Sequence, residues 1–498
     1  MMASRCARLA WEMASRSSKV RDRPGVFRRF RYTRQPVKVV ILGGSLGGLA
    51  SALSFARRGH EVVVLERDVE PPSETRRGTP QASQSHGFLP RLHRALRERD
   101  PDVLAALLDE GVDAVPLAGR MPPGIADRGA KPGDEELVFL ASRRPLFETV
   151  VRKIAAARPG VRFERGRAVQ GLEIEAGPIP RVRGVRTDAG IVEADLVVDA
   201  SGRNTAVPGW LRDAGADVLP EESDDCGIVY FTRFYQRRPG TPDGPLNRGF
   251  GAGGPLPYFQ CVLFLGDNRT FSITIGCLAD DALLKRCSDP GVFTTVARSV
   301  PLVAPWLEFA DPLGGVHPMG RLRNVLRRSV AGGRPIARGI HLVADAACHT
   351  DPSFGRGVAL AFDHAERLAE VVDAHPGDAD AQTLAFDAAT SAEIEPWYRD
   401  AVDQDRARLG FWRAAIDGEV PARPPSAVAL MTILGAAQRD SSVWRGVTRY
   451  VGLLRTREDL FADAEITARV STAYADGWKP ALLVGPERPA LAALLAAV

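Results

Sequence analysis

The 498-residue sequence predicts an α/β fold in which a parallel-sheet domain is interrupted by an antiparallel β-sheet and followed by a helical C-terminal region. Three observations lead to this prediction. A short apolar run at residues 37–42 precedes a glycine cluster and a helical pattern, aromatic strand-like segments occupy residues 227–276, and helical spacing dominates from about residue 378. Because the chain is too long for one small core, we expect two closely packed domains.

The first predicted strand covers residues 37–42, which are mostly apolar and rich in β-branched side chains. Such runs are typical of strands that are buried on both faces of a parallel sheet. Residues 49–58 then carry apolar side chains at helical spacing, and residues 61–65 form a second apolar run. This strand-turn-helix-strand order predicts a Rossmann-like unit, with an ordinary glycine-rich turn that binds no ligand as the alternative.

The turn after the first strand carries a glycine cluster that is typical of dinucleotide-binding sites. Gly43 and Gly48 fit the first and third glycines of a G-x-G-x-x-G pattern, and Ser45 stands at the second. Small residues let the backbone approach a pyrophosphate, while the helix N-terminus supplies free N–H groups. A carboxylate at the end of the second strand can accept hydrogen bonds from ribose hydroxyls. The predicted binding residues of this unit are Gly43, Gly44, Ser45, Gly48, Glu66 and Arg67.

Two later stretches extend the nucleotide-binding prediction. Residues 196–198 form a buried strand before Asp199, and residues 341–344 form another before Asp345. A helix is predicted over residues 357–373, where the glycines at its start let the backbone approach a ligand and its free amides can stabilise negative charge. The domain boundaries follow from this order: a disordered basic extension at 1–36, the nucleotide-binding domain at 37–220 and 331–375, a substrate domain at 221–330, and a helical region at 376–498.

Composition excludes several classes of function. Residues 1–36 contain ten Arg and Lys and two acids, so this segment alone carries a charge of +8. Because the net charge of the whole chain is +4, the remaining residues are mildly acidic, with a charge of −4. We therefore expect no nucleic-acid partner. No apolar run of about 20 residues is present, so no transmembrane segment is expected. The six cysteines show no zinc spacing, which predicts no metal site and reduced thiols in a cytoplasmic protein. An organelle transit peptide is the alternative for the basic extension.

The three stretches, in this order and spacing, resemble the single-component FAD-dependent monooxygenases of the aromatic hydroxylase type. Within that family the chain is similar to the bacterial hydroxylases and epoxidases that act on polyketide-like substrates of secondary metabolism. The resemblance covers residues 37–373 and implies a Rossmann-like FAD-binding domain with an inserted antiparallel substrate sheet. It also implies that one oxygen atom from O2 enters an aromatic or alkene-containing small molecule through a flavin C4a-hydroperoxide.

The resemblance assigns roles to residues outside the glycine loop. Arg144 would reach the phosphate or ribose region of FAD, although the adjacent Arg143 leaves the register open. Asp345 would bind the ribityl chain, Gly355 and Gly357 would lie at the flavin ring, and Pro352 would lie near its reacting edge. The segment at residues 77–81, followed by His86, resembles a loop that approaches the flavin in this family.

Two further candidate catalytic residues, His86 and Arg233, are inferred from their neighbours in the sequence. His86 is either a proton relay near the flavin or a simple loop residue. Arg233 lies between aromatic residues of the predicted substrate sheet, where it either contacts the substrate or forms a salt bridge at the sheet edge. With Pro352, these two residues form the predicted catalytic set.

One motif departs from the family pattern. The family usually has Asp-Gly where Ser201-Gly202 stands here, and that aspartate is linked to the handling of both FAD and NAD(P)H. Asp199 could compensate from two residues upstream. The electron donor is therefore either NAD(P)H acting directly or a separate flavin reductase.

Two other functions stay open at this point. The chain could be an FAD-dependent reductase or dehydrogenase of a prenyl-like substrate, or a flavoprotein cyclase that performs no redox chemistry. A dehydrogenase that binds only NAD would not explain Asp345 or the glycines at 355 and 357.

Overall fold

The computed structural model describes residues 35–69, 79–422 and 424–498. All but the last two residues of the predicted basic extension lie outside these ranges, as do Arg77 and Gly78 of the predicted flavin-approaching loop. Residues Val37–Val498 form one compact unit. The boundaries that the sequence predicts inside this unit stay predictions.

The described residues contain twenty strands, β1 to β20 in chain order: Lys38–Leu42, Glu61–Glu66, Asp113–Pro116, Val138–Ala141, Val161–Arg165, Val169–Glu175, Arg181–Thr187, Gly190–Glu193, Leu196–Asp199, Glu222–Asp225, Ile228–Arg237, Gly251–Pro255, Gln260–Leu265, Thr270–Leu278, Ala310–Met319, Arg323–Leu326, Val330–Ala331, Arg334–Pro335, Ile340–Leu342 and Cys348–His349.

The same residues contain fifteen α-helices, α1 to α15 in chain order: Leu46–Arg57, Pro90–Arg99, Pro101–Asp109, Arg144–Ala157, Val207–Asp213, Pro290–Arg298, Ala304–Glu308, Gly357–Ala374, Ala379–Glu393, Glu395–Asp417, Pro425–Ala436, Ser441–Val451, Arg457–Ala462, Ala464–Tyr474 and Arg488–Ala496.

The parallel sheet has the order β19-β9-β1-β2-β5, and both of its faces are buried. Val39 and Ile41 of β1 pack with side chains of α1 and α8, whereas Val40 and Leu42 pack with the three-stranded sheet β6-β7-β8. Alternate side chains thus enter two different cores, which is why the sequence of β1 is apolar throughout. Strand β19 pairs in parallel with β9, so the sheet is completed by chain that follows the inserted segment.

The inserted segment forms the antiparallel sheet β12-β13-β14-β11-β15. In its register, Thr274 of β14 lies opposite both Thr232 of β11 and Val262 of β13, so these three side chains share one face. A smaller sheet, β10-β16-β20, then leads the chain back towards the parallel sheet. The predicted α/β fold with an inserted antiparallel sheet is confirmed.

The C-terminal helices pack on the inserted sheet. The Trp412 indole of α10 donates a 3.1 Å hydrogen bond to the carbonyl of Leu256, and Arg488 of α15 pairs with the buried Asp281 at 2.8 Å. Within the described ranges, no helix is both long and apolar enough to cross a membrane.

Candidate active site

The glycine loop after β1 requires glycine at two positions. Gly43 has a φ of +95°, and a Cβ there would lie 2.7 Å from the carbonyl oxygen of Ala200. A Cβ on Gly48 would lie only 1.8 Å from the carbonyl oxygen of Gly43, so any side chain would push α1 away from the loop. The resulting turn leaves open the N-terminus of α1, whose N-cap residue Ser45 makes no side-chain capping hydrogen bond.

Glu66 lies beside this loop at the end of β2. Its carboxylate accepts hydrogen bonds of 2.9 Å from the backbone N–H groups of Gly44 and Asp68. The neighbouring Arg67 is different, because its side chain is 68% exposed and its ion pair with Asp68 spans 3.9 Å. The structure therefore places Glu66 at the glycine loop and leaves Arg67 at the surface.

Arg144, the first residue of α4, points at the start of α1. Its guanidinium donates to the Ser45 hydroxyl at 2.9 Å, and that hydroxyl donates to Glu148 at 2.8 Å. Arg152, about two turns after Arg144 on α4, donates to the carbonyl of Gly44 at 2.6 Å. Arg143 instead pairs with the buried Asp267 at 2.8 Å. Arg144, rather than Arg143, therefore lies at the glycine loop.

His86 contacts the same arginine. The Nδ1 atom of His86 lies 2.9 Å from the carbonyl of Gln84, which can only accept, so Nδ1 carries the proton. Nε2 is then free to accept from Arg144 at 3.1 Å. Burial, together with the charge of Arg144, lowers the pKa of His86 to about 3. The imidazole is therefore neutral and orients Arg144.

Asp345 follows β19 in a 3-10 turn over Ala344–Ala346. A Cβ on Gly47 of α1 would lie 2.8 Å from the Ala344 side chain, so this turn packs directly on α1. The Asp345 carboxylate lies 3.4 Å from the His349 ring. Burial alone would raise the pKa of Asp345, but His349 and Arg144 outweigh it and hold that pKa below its usual range.

Residues 351–356 connect β20 to α8 and are called here the 351–356 loop. Pro352–Phe354 form a 3-10 turn that ends at Gly355, which has a φ of +68°. A Cβ on Gly355 would lie 3.5 Å from the Cα of Gly87, and one on Gly357 would lie 3.7 Å from Asp345 Oδ1. The loop thus brings Pro352, Gly355 and Gly357 close to Asp345 and to the segment around His86.

A small cavity of about 30 Å³ lies between this loop and the antiparallel sheet. Its lining residues carry no formal charge and are Ser85, Gly87, Tyr230, Gln260, Val262, Phe264, Thr274, Pro352, Ser353 and Gly355. Hydroxyl groups line one wall, where Thr274 lies 2.7 Å from both Thr232 and Ser85. Ser85 in turn donates to Ser272 at 2.7 Å.

Arg233 is not part of this cavity. It follows Thr232 on β11, so its side chain points to the opposite face of the sheet. There it donates to the carbonyl of Gly314 at 3.2 Å and lies 5.8 Å from the Tyr235 ring centre. The structure does not bring Arg233 together with the other predicted site residues.

The unusual Ser201–Gly202 turn is held by Asp199. The Asp199 carboxylate accepts from the Ser201 backbone at 3.0 Å, from the Ser201 hydroxyl at 2.6 Å and from the Thr205 hydroxyl at 2.6 Å. Its side chain is completely buried, and this burial raises its pKa. Asp199 therefore supports the turn from inside and does not present its carboxylate to a ligand.

Sequence reasoning missed Glu148 and the hydroxyl wall of the cavity. Glu148 could have been found, because Arg144, Glu148 and Arg152 are spaced four residues apart on one helix face. The hydroxyl wall could not, because Ser85 and Thr274 are 189 residues apart and meet only in the folded chain.

The chain was compared with known proteins, and no family model matches it. The kynurenine 3-monooxygenase of Salinispora arenicola is 28% identical over 374 residues, which cover 72% of this chain and 76% of that protein. The FAD-dependent monooxygenase nsrK of Aspergillus novofumigatus is 28% identical over 352 residues, covering 67% of this chain and 66% of its own. In sequence the chain is similar to FAD-dependent monooxygenases of the aromatic hydroxylase type, and this similarity confirms the resemblance that the motifs predict.

Solved structures agree on the fold. The p-nitrophenol 4-monooxygenase PnpA of Pseudomonas putida superposes with a TM-score of 0.58 at 16% identity, covering 85% of this chain and all of that one. The predicted FAD-dependent oxidoreductase is supported by the relatives that are similar in sequence.

The residues of the glycine loop fit FAD. Gly43 and Gly48 let the loop and the start of α1 pack tightly without side chains, and the open N-terminus of α1 supplies N–H donors for a pyrophosphate. Glu66 lies beside the glycine loop, where a ribose would be bound. The Arg144 guanidinium lies at the N-terminus of α1, where it contacts Ser45. These chemical groups match the phosphates and sugar of a dinucleotide.

Proposed function

We propose that this monooxygenase inserts one oxygen atom from O2 into an uncharged aromatic or alkene-containing small molecule, as a hydroxylase or epoxidase. The observation that carries the proposal is the cavity between the 351–356 loop and the antiparallel sheet. One wall contains Pro352 and Gly355, and the other contains only apolar, hydroxyl and amide side chains. FAD, when bound, supplies the reduction of O2 and the transfer of one oxygen atom.

The proposal gives each predicted residue a role in binding or orientation. Gly43, Gly44, Ser45 and Gly48 hold the pyrophosphate, Glu66 the ribose, and Arg144 the adjacent phosphate or ribose oxygens. Asp345 holds the ribityl chain, and the N-terminus of α8 at Gly357 stabilises negative charge on the flavin ring. His86 orients Arg144, and Pro352 limits the space at the reacting edge. Arg67 and Arg233 stay predictions, without a place in this site.

The lining of the cavity supports an uncharged substrate. Kynurenine, the substrate named for one relative, carries an ammonium and a carboxylate group. Burying such charges requires charged or hydrogen-bonding partners, and none of the cavity-lining residues is charged. The hydroxyl groups of Ser85 and Thr274 in the lining suit hydroxyl or keto groups instead.

The electron donor is proposed to be NAD(P)H, used either directly or through a separate flavin reductase. The buried position of Asp199 supports the second route, because no carboxylate replaces the family's aspartate at Ser201. The same proposal includes a cytoplasmic location, where reduced nicotinamide cofactors are available.

The test starts from the purified yellow protein under anaerobic conditions. NADPH, NADH, or either of them with a flavin reductase is added, and the flavin absorption is followed before and after admission of oxygen. Neutral phenols and naphthols are compared with kynurenine, and hydroxylated products are quantified by mass spectrometry. Product from the neutral compounds supports the proposal. Product from kynurenine alone would overturn the assignment of an uncharged substrate, and a protein that neither contains nor takes up FAD would overturn the whole proposal.

A further inference from the structure

Helix α10 of the C-terminal region contacts both ends of the 351–356 loop through buried ion pairs. At one end Arg408 of α10 donates to Asp351 at 2.6 Å and to the Ser353 hydroxyl at 3.1 Å. At the other end Asp400 of α10 pairs with Arg356. Asp351 and Asp400 are almost completely buried, so neither pair is screened by solvent.

The end at Asp351 contains a second carboxyl group, that of Asp405 on α10. Asp405 also pairs with Arg408, at 2.6 Å, and it accepts a 2.7 Å hydrogen bond from the Asn324 amide. The same Asn324 accepts a hydrogen bond of 2.7 Å from the Asp351 backbone. The side chains of Asp351 and Asp405 are fully buried, both accept a hydrogen bond from the same Nη2 atom of Arg408, and carboxylate oxygens of the two lie within 4.8 Å of each other. Two buried carboxyl groups this close repel each other when both are charged, which favours the state in which one of them holds a proton.

The charges of this cluster balance only with that proton. Arg408 provides one positive charge for two carboxyl groups, and Cys226 and Tyr230, which face the cluster from the inserted segment, are neutral because burial raises the pKa of both. Cys226, Asp351 and Asp405 also lie within 4.8 Å of one another. Arg408 already binds both carboxyl groups, and with one proton the cluster reaches neutrality without a metal ion.

We propose that α10 positions the 351–356 loop against the flavin and that Asp405 does so as a protonated positioning residue. The proton lets Asp405 donate to Asp351, whose carboxylate also accepts from Arg408 at 2.6 Å and from the backbone and hydroxyl of Ser353, both at 2.8 Å. Ser353 lines the cavity next to Pro352. The chain of contacts thus runs from α10 through Asp351 to the residues that face the flavin.

The acid–base behaviour of the two carboxyl groups agrees with this assignment. Burial, and then the charge of Asp351, raises the pKa of Asp405 to about 8. Burial alone would also raise the pKa of Asp351, but Arg408 and the hydrogen bond from Asp405 lower it. Above mildly alkaline pH the cluster would hold two negative charges against one guanidinium. Repulsion between the carboxylates should then loosen the loop.

The experiment measures release of FAD from the holoenzyme between pH 6 and pH 10, followed by the increase in free-flavin fluorescence. It compares the unchanged enzyme with Asp405→Asn, which keeps an N–H donor and removes the charge, and with Asp405→Ala, which removes both. Asp387→Asn is the matched control, because Asp387 of α9 also has a pKa raised by burial but accepts from Ser329, outside the 351–356 loop. Circular dichroism checks that each variant is folded.

We expect the unchanged enzyme and Asp387→Asn to release FAD about tenfold faster above pH 9 than at pH 7, which corresponds to roughly one pKa unit of coupling. Asp405→Asn should release FAD slowly at every pH, and Asp405→Ala should release it fast at every pH. The same pH dependence in Asp405→Asn as in the unchanged enzyme would overturn the proposal, even if Asp405→Ala fails to fold. Because no substrate is used, this result is independent of the proposed hydroxylation.

Discussion

Arg144 donates a hydrogen bond of 2.9 Å to the hydroxyl of Ser45, although 99 residues separate them along the chain. Ser45 occupies the position of the second glycine in the dinucleotide pattern, and its hydroxyl donates a hydrogen bond to Glu148. The serine therefore joins the glycine loop to α4. A glycine at this position could not make either side-chain contact.

Replacing Arg144 by Ala should weaken FAD binding by about 10- to 100-fold, because a hydrogen bond to a charged group contributes roughly 1.5–3 kcal/mol. The dissociation constant can be measured by titrating the flavin-free protein with FAD and following the fluorescence. Lys153→Ala is the control, since Lys153 is an exposed cation on the same helix. Equal dissociation constants for the two variants would remove Arg144 from the FAD site.

Replacing Gly48 by Ala should abolish FAD binding. The added Cβ would lie 1.8 Å from the Gly43 carbonyl oxygen and so must displace α1 from the glycine loop. Gly209→Ala is a matched change in another helix, where no atom lies within 4 Å of the new Cβ. That control should be stabilised by roughly 0.5–1 kcal/mol, as expected for Ala in place of a helical Gly. The flavin absorption of each purified variant shows whether it has bound FAD, and the melting temperature measures its stability. A yellow Gly48→Ala protein would contradict the prediction.

Replacing His341 by Phe should make the protein more resistant to acid. His341 is fully buried in β19, neither of its ring nitrogens has a hydrogen-bond partner, and burial lowers its pKa to about 4. Between pH 6.5 and pH 4 the unfolded chain binds a proton that the folded chain does not, so the unchanged protein loses stability as the pH falls through this range. The stability advantage of the variant should grow by about 3 kcal/mol between pH 7 and pH 4. Urea unfolding at both pH values tests this, and an advantage independent of pH would show that folding does not lower the pKa of His341.

Replacing Val262 by Phe should block the substrate without affecting FAD. Val262 lines the small cavity from β13, opposite Thr274, and the larger ring would fill this space. We expect kcat/KM to fall by about tenfold or more, in line with the effect of volume changes in apolar pockets, with unchanged flavin absorption. Val262→Ala, which widens the same cavity, should keep substrate-dependent oxygen consumption. If both variants turn over substrate like the unchanged enzyme, the cavity is not the substrate site.

The glycine loop and the two nucleotide-binding strands could be predicted from the sequence because their signals are local. The apolar run of β1, the glycines at 43 and 48 and the acid at 66 lie within 29 residues, where spacing alone indicates the fold. Asp345 follows a buried strand that the sequence also predicts, but its role at the ribityl chain was implied by the family resemblance and not by local spacing.

The position of Arg233 outside the cavity could not be predicted from the sequence. Alternation along β11 predicts that Tyr230 and Arg233 point to opposite faces, but it does not say which face borders the flavin. Only the pairing of β11 with β14, and the contact of Thr274 with Ser85, show that Tyr230 is on the inner face. The buried cluster at Asp405 was equally out of reach, because only Arg408 is close to Asp405 in sequence, whereas Asp351 and Asn324 are 54 and 81 residues away.

The contacts of α10 also set an order of events during protein synthesis. Asp351 is made 57 residues before Arg408, the cation that neutralises it. At translation rates of 5–20 residues per second this gap lasts roughly 3–11 s. During that time the glycine loop and Asp345 have been synthesised, but the 351–356 loop cannot yet contact α10. A nascent chain therefore completes the ion pairs of this loop only after most of the polypeptide has emerged, and stalled or truncated products that end before residue 400 lack both of them.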